Sequence, residues 1–259
     1  MAFDLGLRTD LGGVRATNQD CIAACWLRVG QEATEEAALL ALADGMGGHQ
    51  EGDLASRLAV RTVVGSLMKE AVLPLMLGDP REGRQAVRDL LEGAVREADR
   101  VVRDQTPAGG TTLTLALVLD EQAYVAHVGD SRAYLFNGAR VERITRDHSL
   151  VGRLQELGEL TEEEARRHPQ RNILYRALGQ GSSLEVDFVA RSLQGAALLL
   201  CTDGLWGQFS DKELARAVCS APSAQVVCDS LVEEAKRRGA DDNVSVILLK
   251  PSIRGGVPS

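Results

Sequence analysis

Ala38-Leu39-Leu40-Ala41-Leu42-Ala43-Asp44-Gly45-Met46-Gly47-Gly48-His49 is an apolar run that stops at a carboxylate and a glycine cluster. Residues Ala38 to Ala43 contain nothing polar and read as a buried strand. The glycines that follow permit the close backbone approach of a tight turn. Asp44 therefore stands at the carboxyl end of a core strand.

The pattern returns downstream. Ala196-Ala197-Leu198-Leu199-Leu200-Cys201-Thr202-Asp203-Gly204 is a second apolar strand ending in Asp-Gly, and Ala240-Asp241-Asp242-Asn243 leads directly into the strand Val244 to Lys250. A single Asp-Gly is ordinarily only a turn. Three carboxylates at the mouths of three apolar strands are a stronger signal. If the strand ends converge, the like charges repel, and either some carboxyls stay protonated or cations sit between them. Hard divalent cations with oxygen ligands are the simpler answer.

The 259 residues carry a formal net charge of -8, with no dense Lys/Arg run, which argues against nucleic-acid or anionic-membrane partners. No stretch of 18 apolar residues occurs, and the N-terminus lacks a basic flank followed by an apolar core. The expectation is a cytoplasmic chain with no membrane segment. The five cysteines form no C-x-x-C pair and read as buried, reduced thiols.

Phe3, Leu5 and Leu7 alternate with other residues as a first strand, and Cys21 to Trp26 reads as another. Between them lies a polar segment containing Arg15 and Asp20, a pair that alone would be an ordinary surface ion pair. Beside a cation site, Arg15 becomes a candidate fork for an anionic oxygen ligand. Glu51 to Lys69 and Glu82 to Gln105 carry helical apolar stripes, with Pro74 and Pro80 marking the break between them. Residues 110–119, 123–128, 132–136 and 141–144 follow as short strands, with Asn137-Gly138 read as a type I′ hairpin turn. Gly129-Asp130-Ser131-Arg132 is a fourth acidic turn between two of these strands.

Residues 147–179 are polar and lack strands, as expected of a flap, with Ser149 opening a short helix and Thr161/Glu164 a capping box. Ser210/Glu213 caps a later helix, and Ser223 another reaching Arg238. The expected organisation is one domain over residues 1–250, a flap at about 147–179 and a flexible tail at 251–259. Strands with helices inserted in blocks give an α+β layered domain rather than a doubly wound sheet. Neither a P-loop nor a dinucleotide fingerprint is present.

Arg15-Ala16-Thr17-Asn18-Gln19-Asp20, Asp44-Gly45-Met46-Gly47-Gly48-His49, Gly110-Thr111-Thr112, Val128-Gly129-Asp130-Ser131-Arg132, Thr145-Arg146-Asp147-His148-Ser149, Arg176-Ala177-Leu178-Gly179, Thr202-Asp203-Gly204-Leu205-Trp206 and Asp242-Asn243 occur in one order over roughly residues 5–250. Together they resemble the metal-dependent serine/threonine phosphatases of the PP2C (PPM) family in its bacterial form. The resemblance implies a β-sandwich of two antiparallel sheets flanked by helix pairs, a monomer, and hydrolysis of phosphoserine and phosphothreonine by a metal-activated water. It implies two Mg²⁺ or Mn²⁺ ions and a possible third. By motif, Asp44 would bridge two ions, Gly45 would lend its carbonyl, Asp203 and Asp242 would hold the other ion, and Asp20 would be an accessory carboxylate. Asp130 and Asp203 match the third-metal residues, and Arg15 the arginine that grips substrate phosphate. The implied partners are phosphorylated Ser/Thr proteins, a cognate Ser/Thr kinase among them.

One position departs from the eukaryotic pattern. Those relatives place a histidine, proposed as general acid, two residues after the bridging Asp, where this chain has Met46; His49 is nearby and is a weak substitute. Gln19 stands where they have glutamate, as bacterial members do. Two alternatives stay open at this point: a phosphatase-like regulatory module, expected to have lost a metal aspartate, and a metal hydrolase of non-protein phosphoesters.

Overall fold

The computed structural model describes residues 3–29, 35–47, 51–76, 83–181, 184–221 and 223–252. Strand β3 (Glu35–Met46) contains the apolar run and explains it. Leu39, Ala41 and Ala43 face one apolar layer, whereas Ala38, Leu40 and Leu42 face another, so both surfaces of the strand are dry. A strand covered on both faces has no polar alternation to show.

Two antiparallel sheets stack about that inner layer. One is ordered β1 (Phe3–Asp10), β11 (Val244–Pro251), β10 (Ala197–Cys201), β7 (Arg132–Asn137), β8 (Arg140–Arg143); the other is β2 (Asp20–Val29), β3, β5 (Leu113–Leu119), β6 (Gln122–Val128), β9 (Asp187–Ser192), with β4 (Gly110–Thr111) paired to the end of β3. Leu198, Leu200, Ile247 and Leu249 meet Leu40 and Leu42 between the sheets. Helices α1 (Glu51–Leu67), α2 (Leu73–Met76) and α3 (Arg84–Gln105) lie on the β3 side, where Ala55, Val63, Leu91 and Val95 complete a second apolar layer. Short helices α4 (Leu150–Glu156), α5 (Glu162–Arg167) and α6 (Asp203–Trp206) stand near the strand ends, while α7 (Asp211–Ser220) and α8 (Ala224–Arg237) cover the other sheet through Leu214, Val227 and Leu231. This is the expected sandwich of two sheets between helices.

Several local expectations are met and others shift. Ser149, Thr161 and Ser210 cap their helices through side-chain oxygens, the last two in complete capping boxes. Ser223 occupies the cap position of α8 but its hydroxyl accepts nothing; the Asp4 carboxylate on β1 takes the Ala224 N–H instead, at 2.6 Å. The Asn137-Gly138 turn is not type I′. Asn137 pairs with Arg140, so the two loop residues are Gly138 and Ala139, and only Gly138 has positive φ, at 57°. A glycine alone in the first loop position is the II′ pattern. Pro74 does not break the chain's helix: a wide π turn over Met68–Val72 precedes it, relieving the contact between a proline ring and the carbonyl four residues earlier. Pro80, most of the 251–259 tail, and Gly48 and His49 lie outside the described residues.

Candidate active site

Antiparallel pairing places the acidic turns at one end of the sandwich. Asp20, the first residue of β2, stands opposite Asp44 near the end of β3. Asp203 follows β10 by two residues and Asp242 precedes β11 by two, while Cys201 pairs with Val246. Asp130 sits between β6 and β7. The two sheets therefore deliver five carboxylates to one rim.

Asp44, Asp20 and the loop beside Asp242 are held by contacts invisible to a local reading. The Asp44 N–H donates to Thr112 Oγ1 at 2.9 Å, and its carbonyl accepts from the Thr112 N–H at 2.8 Å and Thr111 Oγ1 at 2.9 Å. Asp20 Oδ2 accepts from Thr202 Oγ1, just past the end of β10, at 3.0 Å and from Ser245 Oγ on β11 at 2.6 Å, and so bridges the sandwich. The side chain of Asn243 donates to the carbonyls of Leu11 and Thr17 and accepts the Gln19 N–H, pinning the Arg15 loop to the root of β11. A Cβ on Gly204 would lie 2.0 Å from the Asn243 carbonyl, and one on Gly12 the same distance from that of Asp242. Gly204 is required by close backbone approach alone, and Gly12 by close approach together with a positive φ of 74°. Gly45 is similarly packed, with a Cβ there 2.0 Å from the Gly52 carbonyl at the start of α1.

Electrostatics mark the cluster as unfinished. Burial and the nearby Asp203 and Asp242 charges raise the Asp20 carboxyl from 3.8 to about 7, against the opposing bond from Ser245. Loss of hydration, then repulsion from Asp242, raises Asp203 to about 6. Asp44 is pushed well above the usual carboxylate range by burial and by Asp20, Asp203 and Asp130; Asp130 rises through burial and Asp203. Asp20 Oδ1 and Asp203 Oδ1 are buried without a hydrogen-bond partner. Repelling carboxylates with orphaned oxygens suit a hard cation. Among the described residues, no group of three or more His, Cys, Asp or Glu side chains forms a ready-made metal cage.

A cavity of about 460 Å³ opens in front of Asp130, Asp203 and Asp242, walled on the far side by α4, α5 and Arg171-Asn172. Asp20 and Asp44 do not line it and lie behind that front. Arg15 stands at the rim, donating from Nη2 to Asp242 Oδ2 at 2.8 Å with nearly half its side chain exposed. That hydrogen bond is the main reason its guanidinium holds its proton more tightly than usual. Arg171 reaches Asp241 at 3.6 Å from the flap side.

Arg132 and Trp206 end two of the quoted motifs, but the sequence assigns them no role. The Arg132 guanidinium lies 3.5 Å from the centre of the Trp206 ring and grips Asp147 through Nε and Nη2, while Trp206 Nε1–H donates to the Asp130 carbonyl at 3.0 Å. Burial alone would raise Asp147, but Arg132 outweighs it and keeps this carboxylate ionised. The sequence signal was their place inside the acidic turns; their pairing spans 15 residues or more and has no local signature.

A two-sheet sandwich whose strand ends gather five carboxylates at one rim, with Arg15 beside them, fits a metal-dependent phosphoester hydrolase. The Protein phosphatase 2C family profile matches residues 15–243. The chain is 36% identical over 249 residues to Protein phosphatase PhpP of Streptococcus pneumoniae, covering 95% of this chain and 97% of that one. Among solved structures it resembles the S. agalactiae serine/threonine phosphatase, with a TM-score of 0.84 at 31% identity over 96% of this chain and 99% of that one. It also resembles the catalytic domain of the phosphatase PstP in complex with two manganese ions, with a TM-score of 0.77 at 31% identity over 96% and 97% of the two chains. The chain belongs to the PP2C family of metal-dependent serine/threonine protein phosphatases.

Proposed function

We propose that the cleft removes phosphate from phosphoserine and phosphothreonine in proteins, opposing a Ser/Thr kinase. The observation that carries this reading is the set of repelling carboxylates at and behind the cleft front, two with orphaned oxygens, beside an arginine with donors to spare.

Asp44, Asp203 and Asp242, with the Gly45 carbonyl, are the groups that would hold two Mg²⁺ or Mn²⁺ ions; Asp130 with Asp203 would hold a third. Asp20 acts from behind, as an accessory charge bound to Thr202 and Ser245. Bound divalent cations supply an activated water at neutral pH and neutralise charge on the phosphoryl oxygens. Arg15 uses one N–H on Asp242 and offers others to the phosphate oxygens, a charge-assisted contact that orients the ester. Met46 has no proton to give a leaving alkoxide, so the leaving-group proton comes from elsewhere than the position two after Asp44. The 147–179 segment, whose α4 and α5 wall the cavity, serves as a flap that meets the substrate's flanking residues. The chain works as a single domain over 1–250, a cytoplasmic monomer; among the described residues no helix is long and apolar enough to cross a membrane.

The test is phosphate release from a phosphothreonine and a phosphotyrosine peptide, with Mn²⁺, with Mg²⁺ and with EDTA, for wild type and Asp203→Asn. The reading requires release from phosphothreonine that EDTA abolishes and the variant strongly reduces. A folded protein inactive on both peptides with either metal would overturn it in favour of a regulatory module.

A further inference from the structure

The Gly129-Asp130 turn is fastened by groups that the reading above leaves without a task. Gly129 has φ of 111°, and a Cβ there would meet Thr112 at 2.5 Å, so the turn has one available shape. Its N–H donates to His148 Nδ1 at 3.0 Å. Its carbonyl accepts from the His148 backbone N–H at 2.7 Å and from His127 Nε2 at 3.0 Å. Both rings are buried.

The partners assign the tautomers. Because His148 Nδ1 accepts a backbone N–H, the ring proton is on Nε2, which faces Asp187 Oδ2 at 3.2 Å. Arg176 Nη1 also approaches that nitrogen, at 3.1 Å, but its acceptor is Asp187 Oδ1 at 2.8 Å. Asp187 thereby orients His148 much as a carboxylate orients a metal-ligating histidine, except that the far nitrogen here holds a backbone amide. His127 Nε2 points at two carbonyls, Gly129 and Arg146, and must donate, while Nδ1 faces Thr114 Oγ1.

His148 is also the root of the flap. Its carbonyl accepts the Tyr175 N–H at 3.0 Å, joining the two arms of the 147–179 segment, and the next residue, Ser149, caps α4. One residue therefore touches the flap through its backbone and the Asp130 turn through its ring.

We propose that His148 is a positioning residue for the Asp130 carboxylate, fixing the Gly129 N–H through Nδ1 and tying the shape of this turn to the flap. The proposal rests on Asp130 as a cation ligand. Outer groups of this kind contribute roughly 10–100-fold to metal affinity.

Two substitutions separate positioning from mere filling of space. The side-chain oxygen of His148→Asn falls near Nδ1 and can still accept the Gly129 N–H, whereas His148→Gln places its amide near Nε2 and leaves that N–H unanswered. The readout is Mn²⁺ bound per chain in equilibrium dialysis, with folding checked by circular dichroism and Asp130→Asn marking the site. Asp130→Asn is expected to lose one Mn²⁺. His148→Gln should weaken the same ion roughly 10–100-fold and leave the other ions unchanged, with His148→Asn staying close to wild type. Equal behaviour of the two His148 variants overturns the proposal. An unchanged isotherm for Asp130→Asn removes the ligand on which it rests and overturns it too, a failure visible in that arm alone. Should His148→Gln not fold, Asp187→Ala, at a half-exposed residue, must weaken the same ion in the same direction; no change there is likewise fatal.

Discussion

Asp20→Asn should stabilise the metal-free protein at alkaline pH. The Asp20 carboxyl rises from 3.8 to about 7 because burial and neighbouring carboxylates disfavour its charge. The folded state then holds a proton that the unfolded chain has released, so the penalty is absent below pH 4, grows between 4 and 7, and is complete above 7. At about 1.4 kcal/mol per tenfold change in proton affinity, the full penalty is roughly 4 kcal/mol. Asparagine removes the charge and keeps an oxygen for Thr202 and Ser245, but places an unpartnered amide where Oδ1 is already orphaned, costing about 1–3 kcal/mol. The net gain is about 2 kcal/mol, or roughly 4–8 °C in Tm for a domain of this size. Thermal melts in EDTA at pH 8 and pH 5 measure it. The gain should shrink or reverse at pH 5, where Asp20 is already protonated. An equal shift at both pH values, or a loss at pH 8, would show that charge at this position does not govern stability.

Arg15→Ala should lower kcat/KM roughly 10–100-fold, the worth of a charge-assisted hydrogen bond to phosphate, with most of the loss in KM and Tm nearly unchanged because Arg15 is half exposed. Steady-state kinetics on a phosphothreonine peptide decide this, and an unaltered KM would count against the phosphate contact. Gly204→Ala sets a Cβ 2.0 Å from the Asn243 carbonyl, backbone against backbone, and should cost at least about 1–3 kcal/mol while spreading Asp203 and Asp242; denaturant melts and Mn²⁺ titration should both move. Lys250→Met removes an ammonium buried on β11 that donates to the Val218 and Ala221 carbonyls at the end of α7, so stability should fall by about 1–3 kcal/mol. The cleft is remote from it, and kcat should not change.

What was legible in the sequence was legible for local reasons. Strand β3 announced itself because a strand dry on both faces must be uniformly apolar, and Asp44 announced itself by ending that run. The same logic found Asp203, Asp242 and Asp130. The caps of α4, α5 and α7 were readable because a capping side chain acts within three residues. Contacts that cross the fold left no such trace: Asp20 is held by hydroxyls 182 and 225 residues away, and α8 is capped from Asp4 across 220. The hairpin at Gly138 failed by a single position because strand pairing, Asn137 to Arg140, chose which residues formed the loop. The Gly129 turn was visible as an acidic turn, but two buried histidines binding its backbone could be seen only once β6 and the flap root were side by side.

These long-range contacts explain how the fold tolerates its acids. Relief by movement of the backbone is blocked, since the Asp44 main chain is clamped by Thr111 and Thr112 and the Asp242-Asn243 main chain by close-packed Gly12 and Gly204, while Thr202 and Ser245 hold the Asp20 carboxylate itself. Repulsion that cannot relax through the scaffold is relieved only by protonation or by cations. Cation binding and folding are then linked, and each ion that enters the cleft should stabilise the folded chain by an amount that grows with its concentration. Because protons compete for the same carboxyls, that stabilisation should strengthen as pH rises from 5 to 8, the opposite sign to the metal-free protein. Melts with and without Mn²⁺ across this range should therefore diverge, and parallel curves would mean that the clamped carboxylates are not where the cation goes.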